Sequence, residues 1–414
     1  MAGRIRVLDS ATRTMQRLGY LKVLCAIVNE TETSNLTSLG KRLIERVTKR
    51  FKLTPPFDEQ IRDYVKMRLT DRAYRDLRKT VLDGANSAQV ALEAQDIYLS
   101  DTGLPSRTGK LVEADWRSYP YLGTSLELIK KGTYSALTRS LVLLAVTPKE
   151  ELAAFVELDR EHNPLRISTA QAMILFYCLV DNDAEVIQPF FKQLISLSEN
   201  RFDERTAGDL LPEILRTIVK NHQAKGLTGD ERSRLALLTK TAATVENWRG
   251  KAYTGGGARE ITVRVRLEPF CDLGFLGKPN IDRYEYQTTE AMRILVDRWQ
   301  DPADTDNFLQ ENFFHTFSAC RNIDAADADE DSALSALVRA GQDLKSSLGY
   351  SPITDVGLLA GARLLAERSL LLELGRTIEI LKAVQRRDPG FVRFTVNRMG
   401  VLAYVKFLKE APSN

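Results

Sequence analysis

Residues able to do chemistry are few in this chain, and their spacing points away from catalysis. The three histidines, His162, His222 and His315, stand far apart, and none has a second His or Cys at ligand spacing. A zinc site needs such pairs, so the imidazoles read as surface or packed groups. Gly103-Leu104-Pro105-Ser106-Arg107-Thr108-Gly109-Lys110-Leu111 has the outline of a phosphate loop. Five residues separate its glycines where the phosphate-loop pattern has four, and Leu111 stands where a hydroxyl should meet Mg²⁺. Gly255-Gly256-Gly257 lacks the spacing and the preceding apolar strand of a dinucleotide loop. No Gly-x-Ser-x-Gly elbow occurs, and pairs such as Glu150-Glu151 read as ordinary helix surface. A nuclease with carboxylates dispersed in sequence is the residual catalytic class. The chain reads as non-catalytic, with no cofactor and no metal.

The side chains that remain are cations. Net charge is only +3, but residues 1–80 hold 18 Lys+Arg against 9 Asp+Glu, a balance of +9, leaving 40 against 46 beyond them. Such asymmetry suggests that one end meets a polyanion, since cationic surfaces gain free energy by releasing phosphate counterions. Lys41, Arg42, Arg46, Lys49 and Arg50 lie opposite the apolar positions Leu39, Leu43, Ile44, Val47 and Phe51 of a helix predicted from a Ser34-Asn35 cap to Thr54-Pro55-Pro56. Further on, Arg259, Arg264, Arg266 and Lys278 cluster in one motif. Arg386, Arg387, Arg393 and Arg398 cluster near the C-terminal end.

The elements that would position them are mostly helical by pattern. Apolar residues recur at three- and four-residue steps over Leu8 to Asn29. Ser168-Thr169 to Val180 and Ala184 to Ser196 read as buried helices broken at Asp181-Asn182-Asp183. Helices follow over Asp209 to Lys220, 228–247, from Glu290, from Asp355 to Ser369 with Leu358, Leu359, Ala362, Leu365 and Ala366 inward, and from Leu374 to Arg387. Asp388-Pro389-Gly390 stops the last of these. Residues 391–396 and 401–407 are rich in strand formers, joined by Asn397-Arg398-Met399-Gly400, a turn suited to positive φ. Acidic stretches without periodicity, 301–306 and 324–331, read as joints, the second as a surface loop. The expected domains are a basic helical one over 1–150, a helical one over 151–300 and a helical one over 301–414 ending in a hairpin.

Residues 259–295 are the most informative stretch. An amphipathic segment ends at Asp272-Leu273-Gly274-Phe275-Leu276. A short polar loop follows, then Tyr284-Glu285-Tyr286-Gln287-Thr288, then a new helix from Glu290. This order resembles the second half of a winged-helix domain: recognition helix, strand, wing, strand, closing helix. Leu126 to Thr138, with its Lys130-Lys131-Gly132 turn, resembles it more loosely, and so does the C-terminal pair of helices and hairpin. The resemblance implies a mainly α, multi-domain fold with tandem winged-helix modules carrying small β-hairpins. It further implies that Arg259, Arg264 and Arg266 lie on a helix entering the major groove, Leu267, Phe270 and Leu273 face the core, and Lys278-Pro279-Asn280 form the wing.

Two classes of function follow. In the first, the chain binds duplex DNA alone or as a subunit of a DNA-handling assembly, such as one of genome (antiviral) defence. In the second, it is a scaffold whose winged helices dock a partner ATPase or nuclease, or a second copy, without touching free DNA. No apolar run approaches the roughly 20 residues of a membrane span, and Met1 to Tyr20 has arginines but no apolar leader core. Cys25, Cys178, Cys271 and Cys320 are widely spaced, as buried reduced thiols would be. A cytoplasmic protein without a membrane partner is the expectation.

Overall fold

A computed structural model describes residues 4–8, 18–31, 35, 38–40, 42, 120–130, 133–144, 167–225, 227, 229–246, 258–280, 285–397 and 400–409. Within them the protein is mainly α-helical, with a few short strands in small sheets. No described helix is long and apolar enough to cross a membrane.

The chain enters as an extended segment, 4–8, so Leu8 is not yet helical; helix α1 runs Gly19–Thr31. Strands β1 (Ile129–Lys130) and β2 (Thr133–Tyr134) form a hairpin ahead of α2 (Ala136–Leu143). Helix α3 (Thr169–Ile195) opens with a reciprocal cap between Ser168 and Gln171, which satisfies two otherwise unpaired amides. The break expected at 181–183 is a kink: Asp183 leaves helical geometry (φ −133, ψ 19) while the helix continues on both sides. Pro189 lies inside the second half, where its ring crowds the carbonyl one turn back. The Glu185 amide, freed at the kink, donates to the Arg6 carbonyl at 3.2 Å instead.

A first sheet then assembles around one hairpin. Strand β3 (Arg201–Asp203) leads into α4 (Glu204–Gln223), α5 (Gly229–Glu246) and α6 (Ala258–Asp272). Strands β4 (Leu276–Asn280) and β5 (Glu285–Thr288) follow, in sheet order β3-β5-β4, all antiparallel. Gly274, at φ +73, ends α6: Phe275 N bonds Phe270 O and Gly274 N bonds Cys271 O, the left-handed stop that only glycine adopts without cost. Helix α7 (Glu290–Arg298) closes the unit, capped by Thr289. Residues 278–280 belong to β4, so Lys278 is a strand residue and not part of a projecting loop.

Helices α8 (Thr305–Glu311) and α9 (Phe313–Cys320) come next. The acidic stretch 324–331 is not a loose loop. It contains β6 (Ala326–Asp327), which pairs in parallel with β8 (Leu370–Leu371), and Asp329 caps α10 (Glu330–Leu344). The last unit runs α10, β7 (Ser351–Pro352), α11 (Ile353–Arg368), α12 (Leu374–Arg387), β9 (Val392–Val396) and β10 (Leu402–Phe407), with sheet order β7-β10-β9. Gly400, at φ +76, turns the hairpin as its sequence predicts. Ala366, expected inward on α11, is exposed, because the apolar face ends at Leu365.

Among the described residues two apolar cores result. The larger centres on Phe176, whose ring lies 4.8 to 6.5 Å from those of Phe270, Phe275, Phe313 and Phe317. It joins α3, α6 and α9. The smaller gathers residues from Ala328 to Val405 beneath the β7-β10-β9 sheet.

Candidate nucleic-acid interface

In the 259–278 cluster, Arg264 and Arg266 belong to the interior. Every residue of α6 from Val263 to Phe270 is buried, so the helix presents no basic outer face there. Arg266 lies 3% exposed and donates from Nε to Asp183 Oδ2 at 2.9 Å and from Nη2 to Oδ1 at 3.1 Å. The Leu8 amide donates to the same carboxylate at 2.9 Å. Arg264 grips Glu204 in the same two-pronged way, with Nη2 to Oε2 at 3.1 Å. Lys278 Nζ meets Glu268 Oε1 at 2.8 Å, and the buried Tyr286 hydroxyl donates to that oxygen at 2.7 Å. Burial raises the Tyr286 pKa, and the adjacent Glu268 carboxylate raises it further. Arg264, Arg266 and Lys278 are therefore matched to carboxylates of their own chain and are not turned to a ligand. Leu267, Phe270 and Leu273 are buried as expected. An isolated guanidinium in an apolar core is prohibitively costly, so each arginine had to find an acid. Those acids lie 60 and 83 residues away in sequence, beyond the reach of local pattern.

The N-terminal segment is the second half of this arrangement. Ile5, Val7 and Leu8 are buried beside the α3 kink. Arg4 pairs with Asp181 at 3.0 Å and Glu127 at 3.1 Å. Arg6 reaches Asp306 at 2.6 Å, and the Ile5 amide donates to Glu231 at 3.0 Å. Burial raises the Asp183 carboxyl above its ordinary value, against the pull of Arg266 and the Leu8 amide. Nothing in local sequence pattern marks residues 4–8 as a strap across the core.

Of the N-terminal basic helix, Arg42 is exposed; Lys41, Arg46, Lys49 and Arg50 lie outside the described residues. Arg259 lies in the first turn of α6. Arg398 falls outside the described residues.

The C-terminal cluster is different. Arg386 and Arg393 are exposed, and so is Lys382. Lys382 and Arg386 are one helical turn apart on α12, the spacing that puts both on one face. Arg387, also exposed, makes an ion pair with Glu330, and Lys409 makes one with Asp388. Residues 376–409 hold eight Lys+Arg against two Asp+Glu, a balance of +6. The opening turn of α12 is not free: a Cβ at Gly375 would fall 2.2 Å from Glu311 of α8. Glu373, just ahead of it, accepts from the Phe314 and His315 amides at 3.1 and 2.9 Å and contacts His315 Nδ1 at 2.8 Å. The exposed cations of α12 accordingly lie in its C-terminal half.

Two described histidines lie against carboxylates. His222 Nε2 lies 2.8 Å from Glu185, and His315 also approaches Asp327 at 3.3 Å. Among the described residues all four cysteines are free thiols; Cys25, Cys178 and Cys320 are buried, and burial pushes Cys25 up to about 12. Compared with known proteins, the chain matches no family model, no curated sequence and no solved structure.

Proposed function

We propose that the protein binds duplex DNA without catalysing a reaction on it, alone or as a subunit of a DNA-handling assembly, and that the C-terminal unit makes the contact. One observation carries the reading: Lys382 and Arg386 are exposed one helical turn apart on α12 and Arg393 is exposed on β9, in a segment with a balance of +6. Phosphate contacts of this kind supply affinity through counterion release. The winged-helix reading is supported by element order. Helix, strand, helices and hairpin follow one another in α3 to β5 and, with β8 set between the two helices, again in α10 to β10; β3 pairs with β5 and β7 with β10, the last strand each time. That is the arrangement in which a helix and a wing address DNA together.

The test is fluorescence-anisotropy binding to a duplex across a salt series, with a Lys382→Glu/Arg386→Glu variant. The slope of log affinity against log salt should fall by about two, one for each phosphate contact removed. Failure of the native protein to bind duplex at low salt would remove this reading and leave the scaffold, to be pursued through its protein partner.

A further inference from the structure

The outer face of the β7-β10-β9 sheet is the unexplained surface of the molecule. Val392, Phe394, Val405 and Phe407 point into the C-terminal core, so their neighbours in the strands point outward. The pairing register sets these in two rows. Tyr404 lies between Pro352 and Thr395, and Lys406 lies opposite Arg393. Tyr350 extends the second row, with Lys406 Nζ at 5.4 Å from its ring centre. Tyr404 is 43% exposed, large for an aromatic ring on a sheet with a core beneath it. Residues 345–354 and 389–409 contain no Asp or Glu, so the face carries cations with no acid of its own strands beside them.

We infer that this sheet face binds unpaired nucleotides, with Tyr404 stacking on a base and Arg393 and Lys406 meeting the flanking phosphates. The inference rests on the DNA-binding reading and narrows its substrate to DNA that presents a single-stranded stretch beside the duplex. The chemistry is matched on both counts. A base offers a π-face to a tyrosine ring whatever its identity, and a strand spaces phosphates along cations that flank the ring. A protein partner would also use Tyr and Arg, but strands that carry cations and no carboxylate of their own fit a polyanion best.

The experiment compares native protein, Tyr404→Ala and Tyr404→Phe on a fluorescent oligo-dT and on a blunt hairpin duplex, at one salt concentration. Tyr404 is exposed, so unchanged melting temperature verifies folding of both variants. Tyr404→Ala should weaken oligo-dT binding about tenfold and leave the duplex unchanged, while Tyr404→Phe keeps both, because stacking needs the ring and not the hydroxyl. Equal weakening of both DNAs would overturn the stacking role. Duplex binding with no oligo-dT binding would overturn this inference and leave the proposed function standing. Binding to neither would overturn both. A native dimer that Tyr404→Ala converts to monomer, with oligo-dT affinity unchanged, would overturn it and assign the face to a second copy of the chain.

Discussion

Removing Arg266 should unfold the protein more easily without changing the proposed contact with DNA. Its guanidinium is 3% exposed and makes two bonds to Asp183, whose carboxylate also holds the Leu8 amide. In Arg266→Ala the Asp183 charge stays buried with one backbone donor in place of three. Breaking one side of such a pair costs about 3–5 kcal/mol. With an unfolding entropy of about 2 cal/mol/K per residue, a chain of this length unfolding as one unit would lose about 5 °C of melting temperature. Joint replacement, Arg266→Met with Asp183→Asn, removes both charges, keeps a side-chain oxygen for the Leu8 amide and should recover much of the loss. The assay is calorimetry on the native protein, both single variants and the pair, followed by duplex binding across salt on the folded Arg266→Ala protein. The salt slope should not move. A melting temperature left unchanged while the slope falls by about one would refute the reasoning, because it would put the guanidinium on phosphate and not on Asp183.

Three further outcomes are expected. Burial pushes the Asp355 carboxyl up to about 6 from an ordinary 3.8, so the folded protein holds that proton more tightly than the unfolded chain. The stabilisation is complete below the ordinary value and is lost as pH rises through the folded one. Asp355→Asn should therefore melt higher than native protein above pH 6, by a margin that vanishes below pH 4. The difference is bounded at about 3 kcal/mol by the shift and reduced to about 1–2 by the favourable position of an acid in the first turn of α11; a margin independent of pH would contradict the assignment. Glu373→Ala removes the acceptor for two amides at the start of α9, at a cost of about 2–3 kcal/mol. Amide exchange at Phe314 and His315 should accelerate before exchange in the α10–α11 core, and unchanged protection there would count against the cap. At Gly341 a Cβ would fall 2.1 Å from the Phe407 ring, so Gly341→Ala should lose about 1–3 kcal/mol in denaturant titration despite alanine's better helix propensity; a gain in stability would show that the hairpin moves aside freely.

Local signals were legible wherever neighbours in sequence decide the outcome. Ser168 and Gln171 cap α3, Asp388-Pro389-Gly390 ends α12, and Gly400 turns the hairpin, each through bonds or sterics within a few residues. The helix over 258–272 forms although Ile261, Thr262, Val263 and Val265 prefer strands, since packing on both sides outweighs a propensity of a few tenths of a kcal/mol per residue. The interruption near Asp183 was visible too, though not that it would be a kink inside one continuous helix.

Whether a cation faces water or an acid could not be read the same way. Arg264, Arg266, Arg386 and Arg393 look alike in sequence, each on or beside an apolar element. The chain's path placed Glu204 and Asp183 against the first two, and left Arg393 at the surface. The composition and spacing of this sequence determined a mainly helical chain with small hairpins and cations enough for a polyanion. Only the tertiary structure decided which cations are available, because the desolvation of a charge depends on groups tens of residues away that folding brings within 3 Å.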